Sequence, residues 1–271
     1  MTTTEKKGID VSYWQGRIDW AKVKGAGIEF AILRAVAGSN TDSEFENNLK
    51  GVIENKIPFG VYIYTKAKTL TEIDREFTIL KNAMGNTIAP LGIFYDMEDI
   101  SLRNLSKDTL TDNLIYAMQK AAQLGHKGSI YSNPDWLTYV LDYERFKSYP
   151  LWLACYTTKE RRYKLFPHDV YIWQYGNDKI DGINAIVDVN IMYENKEPQA
   201  PEYSQIRVAN CLAAWVRKSP YKSSKPVSVV TKNAVLKTDN AEFSDDRGVL
   251  WLRVFTKYGI GYIAKRYTKK V

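Results

Sequence analysis

Short apolar runs alternate with amphipathic stretches over the first two-thirds of the chain. The runs cover residues 8–11, 30–33, 59–64, 91–95, 128–131, 151–154, 170–173 and 186–189. Each has a strand's length and a bias to β-branched and aromatic residues, which pack well on a pleated surface. Between them, residues 42–56, 71–84 and 107–125 read as amphipathic helices. In the last, Leu110, Leu114, Met118, Ala121 and Ala122 share one helical face, behind an N-cap-like Ser106 and ahead of a stop at Gly125. Repeated strand–helix units predict a parallel sheet covered by helices, and eight strands in under 200 residues predict closure. The fold class read here is an α/β barrel of TIM type. Its helix ring should be incomplete, because the last three strands have short or irregular connections.

The pattern then changes. Residues 194–202 are polar, hold two prolines and show no apolar period, as an extended linker does. Beyond them, 227–230, 249–254 and 261–264 are short strand-like runs between polar turns, which predicts a small all-β barrel. The expected division is a barrel over 1–196, a linker over 197–204 and a second domain over 205–271. Charge divides the same way. Residues 1–197 carry 24 Lys+Arg against 26 Asp+Glu, net −2, and 198–271 carry 14 against 5, net +9; together these give +7. The second part should therefore meet an anionic partner.

Composition excludes several classes. With 271 residues, 45% hydrophobic and 25% charged, the chain is neither disordered nor of low complexity. Cys155 and Cys211 fall in different parts and are too few for a disulfide scaffold, so both are expected as free thiols. The opening residues lack the apolar core of a signal peptide, and no run is long enough to span a bilayer. No membrane insertion is expected.

Candidate chemistry gathers where a barrel keeps it, at the carboxyl ends of strands. Asp10 closes the first run, Asp96 and Glu98 the fourth, and Asp188 the eighth. Alternation along a strand puts Asp96 and Glu98 on one side, about 6.6 Å apart along the chain. That spacing lies between those of direct-nucleophile and inverting carboxylate pairs, so the stereochemical course stays open. Crowded carboxylates in a partly desolvated pocket repel, which keeps at least one protonated near neutral pH. A protonated acid beside ionised neighbours is what glycosidic cleavage requires. Aromatics at or near strand ends, Tyr62, Tyr64, Tyr131, Trp152, Trp173 and Tyr175, would offer flat faces to sugar rings, and Arg34 is the nearby cation. Against a metal-dependent phosphodiesterase, the only histidines, His126 and His168, lie away from these strand ends. No metal and no cofactor are expected. No Gly-x-Ser-x-Gly elbow occurs either. A non-catalytic glycan-binding barrel is the remaining alternative, against which all four acids speak.

Six segments then resemble one family. Gly8-Ile-Asp-Val-Ser-Tyr-Trp-Gln-Gly16, Phe30-Ala-Ile-Leu-Arg-Ala35, Gly60-Val-Tyr62, Tyr95-Asp-Met-Glu98, Trp173-Gln-Tyr175 and Val187-Asp-Val-Asn190 are similar, in order, to glycoside hydrolase family 25 lysozymes. The resemblance spans about residues 6–194; one departure is Ile63, where many relatives have histidine. It implies hydrolysis of the β-1,4 bond between N-acetylmuramic acid and N-acetylglucosamine in peptidoglycan. By motif position Glu98 would be the general acid and Asp96 its partner, orienting the substrate's acetamido group; Asp10 and Asp188 would complete the acidic groove. Trp215-Val-Arg-Lys-Ser-Pro220, Trp251-Leu-Arg-Val254 and Tyr258-Gly-Ile-Gly-Tyr-Ile263 resemble bacterial Src-homology-3-like modules. That implies binding to an anionic Gram-positive wall polymer rather than nucleic acid, with Tyr221, Tyr258 and Tyr267 as contact residues and Trp251 and Tyr262 as core. The whole would be a phage endolysin, or a chromosomal autolysin, held in the host cytoplasm until released onto the wall.

Overall fold

A computed structural model describes residues 4–194 and 203–271, so most of the expected linker lies outside the described residues. The chain divides into two compact units, residues 1–200 and 201–271. In the first, strands β1 (Glu5–Val11), β2 (Phe30–Ala37), β3 (Asn40–Thr41), β4 (Phe59–Tyr64), β5 (Ile93–Asp96), β6 (Gly128–Ser132), β7 (Leu151–Ala154), β8 (Ile172–Asp178) and β9 (Val187–Tyr193) form one sheet. Its order is β1-β9-β8-β7-β6-β5-β4-β2-β3, and β1 also pairs with β2, which closes eight strands into a ring with β3 as a spur. All eight apolar runs are strands of that ring.

One expectation is corrected. The sheet is not wholly parallel: β9 runs antiparallel to both β8 and β1. The eight residues between β8 and β9, 179–186, hold no helix. A crossover helix is what returns a chain for parallel pairing, and without one the strand must come back reversed. Asp188 therefore lies near the start of its strand instead of ending it.

Helices α1 (Trp20–Gly25), α2 (Phe45–Glu54), α3 (Leu70–Met84), α4 (Lys107–Gln123) and α5 (Lys159–Leu165) cover part of the ring. Only short π and 3-10 turns join β6 to β7. The α1 and α5 segments are short and lacked a readable period. α4 matches its pattern closely: Ser106 caps it by accepting from the Thr109 amide, and Leu110, Leu114 and Met118 are buried. Thr69 and Glu72 form a capping box on α3. Among the described residues no helix is long and apolar enough to cross a membrane.

The barrel interior is aromatic. Phe30, Tyr62, Phe94, Tyr131 and Trp152 form one buried cluster, with the Tyr131 and Trp152 ring centroids 4.3 Å apart. Gly60 leaves room for it: a Cβ there would sit 2.7 Å from the Phe94 ring. Outside the ring, α3 buries Glu76 against the strand that carries Asp96. Its carboxylate accepts from the Tyr95 hydroxyl at 2.7 Å and the Thr65 hydroxyl at 2.9 Å.

The second unit consists of β10 (Ser204–Val208), β11 (Ala213–Arg217), β12 (Pro226–Thr231), β13 (Val235–Ser244), β14 (Leu250–Thr256), β15 (Gly259–Ala264) and β16 (Thr268–Lys270). All pairings are antiparallel, in the order β12-β11-β15-β14-β13-β10-β16. Ile206, Val208, Val216, Val254 and Ile263 make its core, and Trp251 and Tyr262 a second small cluster. Arg253 is fully buried on β14 and pairs with Asp239, Nε to Oδ2 at 2.7 Å.

Burial pushes the Glu76 carboxyl up to about 7 from 4.5. A carboxyl raised in the folded state adds stability that is complete below about 4.5 and is lost as pH rises through 7. Glu76→Gln keeps the hydroxyl partners and removes the titration. Urea unfolding at about pH 4 and about pH 8 should show the wild type losing about 3 kcal/mol more than the variant. Equal losses would show that Glu76 does not titrate in this window.

Candidate active site

The mouth of the barrel is built on a seam between two strands. Asp10 is the penultimate residue of β1 and pairs directly across from Asp188 near the start of β9. Because β9 is reversed, its first residues lie at the end of the barrel where the parallel strands finish. The two aspartates meet for that reason, although Asp188 lies near the start of a strand.

Like charges directly opposite in a sheet repel, and the fold compensates locally. Asp10 Oδ2 accepts hydrogen bonds from Gln174 Nε2 at 2.9 Å and Asn190 Nδ2 at 2.8 Å. Those amides are themselves cross-strand partners on β8 and β9. Each is oriented from beneath. The Tyr131 hydroxyl donates to Gln174 Oε1 at 3.1 Å, and the Trp152 indole N–H donates to Asn190 Oδ1 at 2.8 Å. With both amide oxygens occupied, both amide nitrogens must donate to Asp10. Asp188 Oδ1 accepts from the Tyr156 hydroxyl at 2.6 Å.

β5 supplies the other two acids. Asp96 is its last residue, and Glu98 lies two beyond, past the strand, so alternation along a strand does not orient it. Met97 between them is tied to β6: its N–H donates to the Tyr131 carbonyl and its carbonyl accepts from Ser132 Oγ at 3.0 Å. Asp96 is only 3% exposed, and its Oδ1 has no hydrogen-bond partner. Glu98 is half-buried and bonded to the Asn133 side chain.

All four carboxyls are displaced upward. Burial and then Asp188 raise Asp10 to about 7, against the pull of Asn190 and Gln174. Burial, then Glu98 and Asp10, raise Asp96 well above the carboxylate range, with Arg34 opposing. Burial and Asp188 raise Glu98, while Asn133 lowers it. Burial raises Asp188, offset by its Tyr156 bond. The cluster thus holds more protons at neutral pH than free carboxylates would.

The aromatics named from sequence sit at different depths. Tyr62, Tyr131 and Trp152 are buried below the acids, and Trp173 is buried with its indole N–H on the Cys155 carbonyl at 2.8 Å. Tyr64 is half-buried and donates to Asp99 at 2.8 Å. Tyr175 is half-buried, its ring 5.5 Å from Trp173. Arg34 pairs with Asp42 at 2.7 Å and lies over the Tyr13 ring. Facing solvent after the first strand, Trp14 is 69% exposed.

Sequence reasoning did not single out Gln174, Asn190, Asn133, Tyr156 or Trp14 as site residues. A signal existed for the first two, since each is a polar amide inside an otherwise buried strand. Asn133 directly follows β6 and Tyr156 lies two residues past β7, where a barrel's functional loops begin. Neither His126 nor His168 appears among the partners of the acids, and among the described residues no group of three or more His, Cys, Asp or Glu could hold a metal ion.

Residues 9–183 match Glycosyl hydrolases family 25. The chain belongs to that family. The match spans β1 and β5, which carry Asp10 and Asp96, and Glu98 just beyond β5. Lysozyme M1 of Streptomyces globisporus is 40% identical over 65 residues, 24% of this chain and 22% of that protein. The modular autolysin LytC of Streptococcus pneumoniae, solved in complex with a synthetic peptidoglycan ligand, is 27% identical with a TM-score of 0.62. That match covers 70% of this chain and 47% of LytC. The bacterial lysozyme of Streptomyces coelicolor shares the fold at 23% identity and TM-score 0.57, covering 71% of this chain and 94% of that one. The chain thus spans about a fifth of the length of Lysozyme M1 and about half that of LytC.

The Asn133 bond makes a specific prediction for pH dependence. Removing it in Asn133→Ala takes away a contact that favours ionised Glu98, so the Glu98 value should rise further. If Glu98 must be protonated to act, the alkaline limb of a kcat/KM profile on soluble glycan should move to higher pH. An unmoved or lowered limb would separate Glu98 from that ionisation.

Proposed function

We propose that the chain is an N-acetylmuramidase that cuts the β-1,4 bond between N-acetylmuramic acid and N-acetylglucosamine in peptidoglycan. Family membership supplies the reaction class, and a relative solved with a synthetic peptidoglycan ligand supports the substrate. The observation that carries the reading is the pair at the end of β5: a raised, half-buried Glu98 beside an Asp96 with an unfilled acceptor.

In this mechanism protonated Glu98 gives its proton to the glycosidic oxygen as the bond to the anomeric carbon breaks. The acetamido carbonyl oxygen of the same sugar bonds to that carbon, giving an oxazolinium-like intermediate. Its N–H is the donor that Asp96 Oδ1 lacks, and that hydrogen bond holds the acetamido group in line with the anomeric carbon. Water then adds to the anomeric carbon as its bond to the acetamido oxygen breaks, and gives a proton to Glu98, now a carboxylate, so the acid and the acetamido group are both restored. Asp10 and Asp188 keep the base of the groove electronegative, which favours a cationic transition state.

We assign the second unit to wall attachment, as a Src-homology-3-like module for an anionic wall polymer. Its net charge of +9 over residues 198–271 (14 Lys+Arg minus 5 Asp+Glu) supports this. Tethering raises the enzyme's effective concentration at an insoluble substrate. The resulting two-part layout is that of an endolysin, released onto the wall from the host cytoplasm.

Two experiments test these assignments. Wild type incubated with purified peptidoglycan should release fragments ending in reducing muramic acid, read by mass spectrometry. Glu98→Gln should lose at least about 10³-fold in rate, in line with losing a general acid. Wild type that binds walls but releases nothing would be a glycan-binding protein instead. Removing residues 203–271 should cut wall sedimentation while hydrolysis of soluble glycan persists; undiminished sedimentation would remove the targeting role.

A further inference from the structure

The second unit carries a groove away from its core. Two adjoining cavities, of about 390 Å³ and about 720 Å³, share Lys222, Asp245 and Arg247 as lining residues. Their continuity suits a chain molecule better than a single small ligand.

Strand alternation creates one wall. On β11, Ala214 and Val216 enter the core, which turns Trp215 outward, 52% exposed. Arg217, two residues on, keeps its guanidinium 5.9 Å from the Trp215 ring and donates to the Ser224 carbonyl at 2.7 Å. The opposite wall is the turn that joins β13 to β14. Its Asp245 is occupied internally, accepting from the Arg247 and Val249 amides at 3.0 and 2.9 Å and from the Trp251 indole N–H at 3.1 Å. That carboxylate shapes the turn and leaves the exposed Arg247 and Lys222 side chains facing solvent. Across the groove, Arg217, Lys222, Arg247 and Arg266 stand against Asp245 and Asp246.

An uncharged glycan would match the Trp215 face and bring no anion to the exposed Lys222 and Arg247. A phosphodiester chain matches both, because single negative charges recur along it at the spacing of a sugar or polyol unit. Arginine forks and lysine bind phosphate oxygens, and an indole face packs on C–H groups. We propose that this groove binds a phosphodiester-linked polyol polymer of the bacterial wall, with phosphates on Lys222 and Arg247 and carbon backbone on Trp215. The proposal rests on the wall-attachment reading and locates it. Tyr221 and Tyr267 line the groove, and Tyr258 does not.

The test titrates poly(glycerol phosphate) into the full chain and follows binding by calorimetry. Lys222→Ala with Arg247→Ala should weaken binding at least about tenfold and flatten its salt dependence. Trp215→Ala should weaken it with the salt dependence kept. Lys269→Ala with Lys270→Ala, the same charge loss outside the groove, should bind within about twofold of wild type. The idea is overturned if wild type ignores the polymer or if both double variants weaken equally. A single-stranded oligonucleotide of equal charge binding as tightly would also overturn it, as would unweakened sedimentation of wild type on walls stripped of phosphodiester polymer. Reducing-sugar release from soluble glycan is read in parallel, so loss of the muramidase assignment would leave the polymer titration to decide the groove.

Discussion

Two aspartates facing each other across one seam set the terms for the rest of the catalytic unit. Asp10 and Asp188 occupy opposed positions on β1 and β9, where mutual repulsion and desolvation both favour the neutral acid. Two amide donors on Asp10, each contributing about 1.5–3 kcal/mol to a charged acceptor, work against an unpaired burial cost of several kcal/mol. The opposing effects leave Asp10 at about 7. A carboxyl held there sits between its two protonation states near neutral pH. The aromatic interior follows from the same need. Tyr131 and Trp152 fill space, and their polar hydrogens also fix which way Gln174 and Asn190 point.

The reversed strand is what makes this arrangement available. A parallel eighth strand would deliver residues to the mouth only at its carboxyl end. Returning antiparallel, β9 brings its first residues there, and alternation then places Asp188 and Asn190 two apart on one face. The hairpin also sets Gln174 across from Asn190, so both ligands of Asp10 come from one local pairing. The site is therefore less dependent on distant loops than a collection of eight strand ends would be.

The proposed division of labour has an electrostatic logic. The part with the acids is net −2, and an acidic groove gains nothing from a polyanionic wall by long-range attraction. A +9 partner on the same chain supplies that attraction without adding cations to the sequence of the acidic part. The buried Arg253–Asp239 pair shows that the second unit also spends charge inside its fold. Its surface character comes from the cations that remain outside.

The eight ring strands and β12, β14 and β15 were legible because each holds a short apolar run, a local property, whereas β3, β10, β11, β13 and β16 were not read because they are short or largely polar. Helices α2, α3 and α4 were legible for the same reason, and α1 and α5 were too short to show a period. That Asp10, Asp96, Glu98 and Asp188 gather at the mouth could be read as well, since carboxylates beside hydrophobic runs have no local cause. The orientation of β9 could not be read, because pairing direction depends on the connection and on which neighbours are free. The partners of Asn133, Tyr156, Gln174 and Asn190 could not be read either: each hydrogen bond joins residues far apart in the chain, and only closing the barrel brings them together. Local chemistry wrote the inventory of elements and acids; long-range closure decided which charges face each other and what holds them.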